Sequence, residues 1–361
     1  MTGCSSLEIL DTTEWSMTNV SMANYAWNNC SNLIAIEGIE NWDLKNLTSF
    51  YCGFGGCTNL KRLDGLVITS KTTTIAYLLS NCKKIEDFSF INEWDTSKVT
   101  DYNRAFENCQ IPPEILKDLD VSSATNLTGL LTGNLTITNL DFLSNWNTSK
   151  VTTIESFCLK CTELIDMTGI LNWTNFNPIY ISALFQGCTS LTKIDLRGLN
   201  FSRLSKVNSL AYDCHKLEEL YIDMPNTVTV WERLVQNCNK IKKIHYVNLD
   251  SLRNITGWRF FAPYNNHKDF MYYITVSWAG KLMEETSSFL LDALTYVNST
   301  TYGIFKRITV ESFEDLLNNH LHDYSNSDES PNVYVTIEYK DIISEEAVAN
   351  AVSKGWTVVF K

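Results

Sequence analysis

Residues 82–109 read CKKIEDFSFINEWDTSKVTDYNRAFENC. The stretch opens on Cys82 and places Ile85 and Phe88 three and six residues on. It passes Trp94 and the run TSKVT, then closes with Phe106 three residues before a new cysteine, Cys109. Outward from it the same sentence recurs, with cysteines at Cys4, Cys30, Cys57, Cys82, Cys109, Cys161, Cys188, Cys214 and Cys238. The steps run from 24 to 27 residues, except one of 52, which is two steps with Asn134 in the vacant slot. Apolar residues follow each slot at plus three and plus six, from Leu7/Leu10 through Leu60/Leu63, Ile137/Leu140 and Leu191/Ile194 to Ile241/Ile244. The unit after Cys109 departs, with Pro112 and Pro113.

Other slots repeat as well. Trp27, Phe54, Phe106 and Phe185 stand three residues before the cysteine, and Trp15, Trp42, Trp94, Trp146 and Trp173 fifteen before it. The residue just before the slot is mostly Asn, Gly or Asp, types that tolerate a left-handed turn. A register held at so many places calls for a solenoid, because each unit leaves an apolar edge that only the next can cover. The spacing Leu-x-x-Leu-x-apolar predicts one short strand per unit.

The strings WDTSKVTDYNRAFENC (94–109), WNTSKVTTIESFCLKC (146–161) and FQGCTSLTKIDLRGLNF (185–201) resemble the BspA-like leucine-rich repeat surface proteins, and the likeness covers residues 3–267. The resemblance implies an α/β fold, a leucine-rich repeat solenoid with a curved parallel β-sheet of about ten short repeats and a C-terminal α/β cap. The ending KGWTV is similar to that family's C-termini. Members of the family are surface adhesins, and related repeats occur in phage proteins. A non-enzymatic recognition or adhesion module for a protein or glycan partner is therefore the expected function, at the cell surface or outside the cell. The alternative is a virion component whose N-terminal edge packs on another subunit.

Composition narrows the classes. Of 361 residues 44% are hydrophobic and 19% charged, which suits a folded body. A net charge of −12 disfavours nucleic acid and anionic lipid, both of which need a basic surface. No apolar run is long enough to span a bilayer, and MTGCSSLEIL has neither the basic nor the apolar region of a signal peptide. The first unit lacks its Trp-bearing half, so a longer parent chain or a neighbouring subunit is expected to cover that edge.

The solenoid is expected over 1–267 and a capping region over 268–361. Within the latter, 284–297 and 311–322 read as helices, DYSNSDESPN as a loop and NVYVTIEY as a strand. Residues 344–353 read as a helix with a Ser N-cap and a stop at Gly355, and WTVVF as a final strand.

Chemistry-bearing residues are sparse. Nine of the eleven cysteines fall in one slot, which makes them buried thiols rather than disulfides. Cys158 and Cys161 form a CxxC, but packing slots account for both, and Cys52/Cys57 have no second pair for zinc. His320 and His322 lie two apart and do not share a helix face. No nucleophile–base pair or phosphate loop is present, so no catalytic residue, metal or cofactor is expected. Sequons such as Asn46-Leu-Thr48 arise from the repeat itself.

If plus three, plus six and plus eight point inward, plus five and plus seven line the open sheet. Plus seven carries Asp11, Glu37, Asp64, Asp141, Asp195 and Tyr221, and plus five adds Asp87, Asp166 and Glu219. This acidic stripe is the candidate partner-binding face, or it keeps the edge soluble. The aromatic-rich stretch 258–278 is either a platform or the joint between solenoid and cap.

Overall fold

The computed structural model describes residues 1–223, 225, 227, 228, 230–238, 240, 243–247, 274–277, 314, 317, 318, 325, 332–335 and 340–360. Over the repeats the chain winds as stacked coils, one per cysteine slot. Ile85, Ile137 and Leu191 belong to one continuous core that extends from Leu10 to Cys238. A repeat solenoid is therefore the fold class.

Two backbone ladders flank that core. The first is the expected strand row, formed by β1 (Ile9–Asp11) and β2 (Ala35–Glu37), and later β3 (Lys193–Asp195). The second row holds β4 (Lys206–Asn208), the first resumes with β5 (Glu219–Asp223), the second with β6 (Val230–Glu232), and the first again with β7 (Lys243–Val247) and β8 (Ile274–Ser277). β1 pairs with β2 in parallel, and β3, β5, β7 and β8 make a parallel sheet in that order. Between these pieces the row thins, to Lys61 N–H to Ile34 O at 2.9 Å, Glu86 N–H to Lys61 O at 3.1 Å and a lone parallel bridge between Asn139 and Asp166. At Pro112–Pro113 the chain turns instead into the one-turn helix α1 (Pro113–Leu116), with Pro113 in the first turn, where its missing N–H costs nothing.

The continuous curved sheet expected from the sequence is thus broken into pieces, and the plus-five residue explains much of the pattern. Where it is Asp87, Asn139 or Asp166, its side-chain oxygen accepts the N–H of plus seven, at 2.8, 3.0 and 2.8 Å. That bond removes the donor from the cross-coil ladder and starts a 3-10 turn at Ser89–Glu93, Asp141–Leu143 and Thr168–Asn172. Where plus five is Ile9, Ala35, Lys193 or Glu219, the strand runs on through plus seven.

The second ladder was not expected and is the longer one. Parallel bridges run Met22–Ser49–Thr74–Asp101–Asn126–Thr153–Tyr180–Lys206 without a gap at the proline-bearing unit, and β4 pairs with β6 beyond them. From there each coil proceeds as linked turns whose alternate N–H groups reach the next coil, as in Cys52 N–H to Ala76 O, Phe54 N–H to Leu78 O and Gly56 N–H to Ser80 O, at 2.7, 3.0 and 2.7 Å. These turns place two left-handed residues in each coil. One is the Asn/Gly/Asp position just before the slot, with φ of 58° at Asn29 and 64° at Asn81. The other, five before the slot, is Tyr25, Cys52, Tyr77, Arg104, Ser156, Ala183 or Ser209, with φ from 52° to 57°. Such residues lose about 1–2 kcal/mol each in this conformation, and the cross-coil bonds hold them there.

Side chains repeat the same logic. Cys57, Cys82, Cys109, Cys161, Cys188, Cys214 and Cys238 each donate a thiol to the carbonyl three residues before the preceding slot, over 2.7–3.2 Å. Asn134 does the same with Nδ2 to Phe106 O at 2.8 Å, while its Oδ1 accepts from the N–H groups of Gln110 and Ile111. The indole N–H groups of Trp94, Trp146 and Trp173 reach Leu66 O, Leu116 O and Leu143 O at 2.9–3.1 Å. On the outside, Thr48, Thr73, Thr100, Thr125 and Thr152 each donate a hydroxyl to the preceding coil.

The C-terminal residues form a separate α/β element. β9 (Asn332–Val335) pairs in parallel with β10 (Thr357–Phe360), and α2 (Glu345–Ser353) lies between them in sequence. Ser344 caps α2 by accepting Ala347 N–H, and Gly355 ends it at φ 82°, as the sequence predicts. Asn318 Oδ1 accepts from Asn350 Nδ2 at 2.8 Å. The expected helix 284–297, most of 311–322 and most of DYSNSDESPN lie outside the described residues. So does the aromatic stretch 258–278, apart from β8.

Candidate binding surfaces

Every described cysteine is a free thiol. Burial pushes Cys57 up to about 12 and holds Cys82, Cys158 and Cys188 well above the ordinary thiol range. Cys158 and Cys161 are both fully buried, and Cys158 O is the acceptor for Cys188 Sγ, so the CxxC pair has a packing role. Reactive cysteines need an accessible, stabilised thiolate, which this environment opposes. Among the described residues no group of three His, Cys, Asp or Glu is placed to hold a metal ion. No described helix is long and apolar enough to cross a membrane.

The members of the expected acidic stripe differ in what they do. Asp11 accepts Thr13 N–H and Oγ1 at 3.0 and 2.7 Å, and Asp87 accepts Ser89 N–H and Oγ at 2.8 and 2.9 Å. These bonds, with that to the backbone N–H largest, hold both carboxyls below the usual range. Asp166 caps its own turn through Thr168. Asp64 pairs with Arg62 at 2.6 Å. Asp195 sits between Arg197 at 2.5 Å and Lys193 at 3.4 Å, and its hydrogen bonds to Arg197 lower its pKa. Glu37 and Asp141 are exposed, and among the described residues neither caps a turn nor pairs with a cation.

Tyr221, expected on the open face, is corrected by its surroundings. It is only 7% exposed, because Lys193 and Arg197 lie over its ring at 5.0 and 4.2 Å. Its hydroxyl donates to Glu219 at 3.1 Å. The cation–π contacts and the Asp195 ion pairs close this part of the stripe into one charge-balanced cluster.

A second surface went unread. Tyr25, Tyr51 and Tyr77 of three successive coils pack in a row beside the second ladder, with ring centroids 5.2 and 5.7 Å apart. The hydrogen bond with Tyr25, then burial, pushes the Tyr51 hydroxyl up to about 12. Their equal spacing of 26 residues was a visible signal, hidden because cysteine steps of 27 and 25 put Tyr51 in a different slot from its neighbours.

The repeat geometry finds its counterpart in a family model described as "Mycoplasma protein of unknown function, DUF285", which matches residues 1–112, 73–174, 104–223 and 133–248 in overlapping copies. The chain belongs to this family. The DUF285 matches together span the coils from the first slot to the last described cysteine. The BspA-like resemblance of the WDTSKVT and F-x-x-C strings holds for this DUF285 chain. Two solved structures are similar to it. One is a leucine-rich cell surface protein from Faecalibacterium prausnitzii A2-165, at 14% identity over 70% of this chain and 77% of that one, with a TM-score of 0.34. The other is a leucine-rich repeat protein from Bacteroides ovatus ATCC 8483, at 14% identity over 76% and 85%, with a TM-score of 0.22. Comparison with curated proteins gives no match.

Proposed function

We propose that this chain is a non-enzymatic recognition module at a cell surface, a stack of about ten coils closed by its C-terminal α/β element, whose strand side receives a basic partner. The observation that supports the reading is the contrast between engaged and spare carboxylates. The repeated Cys, Trp and Thr side chains bind coil to coil, and Asp11, Asp87 and Asp166 cap turns. Glu37 and Asp141 have no such task among the described residues and are exposed. Charge on a surface of this kind governs steering and partner choice.

The experiment is charge reversal, Glu37→Lys with Asp141→Lys, read as binding to immobilised matrix proteins and to poly-L-lysine over a salt series. About tenfold weaker binding with a shallower salt dependence is expected. Equal binding by the double variant would remove the strand side from consideration.

A further inference from the structure

We propose that the tyrosine row Tyr25–Tyr51–Tyr77 is a binding site for a neutral oligosaccharide. The site lies beside the second ladder, apart from the acidic stripe, and stands whether or not the stripe binds a basic partner.

The row is built by alternation of size. Tyr25 and Tyr77 come from the slot five residues before the cysteine, and Tyr51 from the slot six before it. In the coil of Tyr51 the five-before slot holds the small Cys52, and in the coil of Tyr77 the six-before slot holds Ala76. Each ring therefore fits into the gap left by its neighbour's coil. The result is two edge-on or tilted contacts, at interplanar angles of 67° and 58°.

The backbone fixes the row before any ligand arrives. Tyr25 and Tyr77 are left-handed, at φ 54° and 57°, although aromatic residues avoid that region. The bonds Tyr25 N–H to Tyr51 O and Tyr77 N–H to Asn103 O, at 2.9 and 2.8 Å, lock them there. Rigid, half-exposed tyrosines bind with little loss of conformational freedom. Tyr25 remains 48% exposed and Met22 beside it 64%.

The chemistry of the surround selects the ligand. Ser49 and Thr74 continue the bridge row beside the rings, and Asn24 is exposed at its start. Asn24 Oδ1 accepts from Ser49 Oγ at 2.6 Å and from Tyr51 N–H at 3.1 Å, which turns its amide nitrogen outward as a donor. None of these residues is ionised at neutral pH, in a chain that is 19% charged. The charged residues of these coils have partners: Lys45 pairs with Asp43 and Lys71 donates to Asn46, and in the next coil Arg104 pairs with Glu107 at 2.6 Å. Aromatic faces, hydroxyls and an amide donor without a charge match a sugar's C–H faces and hydroxyls. The ring-to-ring steps of 5.2 and 5.7 Å are close to the length of one pyranose unit, so successive sugars can follow successive coils.

The test uses the full chain and a panel of cellohexaose, laminarihexaose, chitohexaose and mannohexaose. Binding is read by intrinsic fluorescence and by saturation-transfer NMR. Tyr25→Gly and Tyr77→Gly are the variants, because φ 54° and 57° suit glycine and the fold should survive. Saturable binding of at least one panel member is expected, weakened about tenfold by either variant. Glu37→Lys should leave it unchanged, which separates this site from the strand side. Absence of binding across the panel, or binding indifferent to both glycine variants, overturns the proposal. So does a tyrosine-dependent dimer in sedimentation velocity, which would assign the row to a second copy of the chain.

Discussion

Replacing Asn134 by Cys would restore the slot residue found in the neighbouring coils, and substitution toward a repeat's consensus usually stabilises. Here the opposite is expected. Asn134 is fully buried and works in two directions. Its Nδ2 donates to Phe106 O at 2.8 Å and to Leu131 O at 3.0 Å, the first bond being the one a slot cysteine would make. Its Oδ1 accepts from Gln110 N–H at 2.6 Å and from Ile111 N–H at 3.2 Å. Those donors were freed when Pro112 and Pro113 took the preceding coil out of the strand row, with Gln110 held at φ 63°. A thiol keeps the Phe106 contact but offers no acceptor in place of Oδ1. Two largely buried amides then lose their partners, at about 1–3 kcal/mol each in full and less where water reaches Gln110. A net loss of about 2–4 kcal/mol follows. Urea unfolding followed by circular dichroism should show a lower midpoint with the same slope, and hydrogen exchange should quicken at the amides of residues 110 and 111. The reciprocal change, Cys188→Asn, should also destabilise, because it buries an acceptor with no donor to receive. If Asn134→Cys unfolds at or above the wild-type midpoint with unchanged exchange at 110 and 111, the slot is set by volume alone and the hydrogen-bond account fails.

Two further outcomes follow from the same geometry. Folded-state thiols such as Cys57, pushed up to about 12 by burial, and Cys188 lie above the unfolded value of about 8.5, so their stabilisation is complete below that pH and is lost as pH rises toward the folded values. The unfolding midpoint should hold up to about pH 8.5 and fall above it, and a chain whose midpoint held constant from about pH 8.5 to about pH 10 would contradict the buried-thiol ladder. Lys160 sits at φ 58° on an exposed turn, so Lys160→Gly should gain up to about 1 kcal/mol, the relief of left-handed strain outweighing the entropy cost of glycine. A measurable loss of stability in that variant would show that the lysine stem, not the turn, decides the position.

Much of this was legible because it is periodic. A side chain recurring every coil must meet its own copies, so the Cys slot, Leu60, Ile85 and Leu191 could be placed in one column without coordinates. The left-handed position before the slot was legible for a local reason, since Asn, Gly and Asp suffer least there. So was the start and stop of α2, where Ser344 and Gly355 act within one turn. The break-up of the strand row was also written in the chain, as Asp87, Asn139 and Asp166 at plus five, but it takes the observed Asx bonds to see that they end strands.

What one coil imposes on the next was not legible. Tyr25, Cys52, Arg104 and Ala183 share a left-handed backbone without sharing a residue type, because the N–H of each is bonded to the following coil rather than steered by its own side chain. The sequence by itself determined that the chain stacks, and at what period, since burial of recurring apolar edges depends only on composition and spacing. Only the tertiary structure decided which carboxylates are spare, that cations cover Tyr221, and that three tyrosines from two different slots meet. Those outcomes depend on the lateral offset between coils, which hydrogen bonds and side-chain volumes fix once the stack has formed.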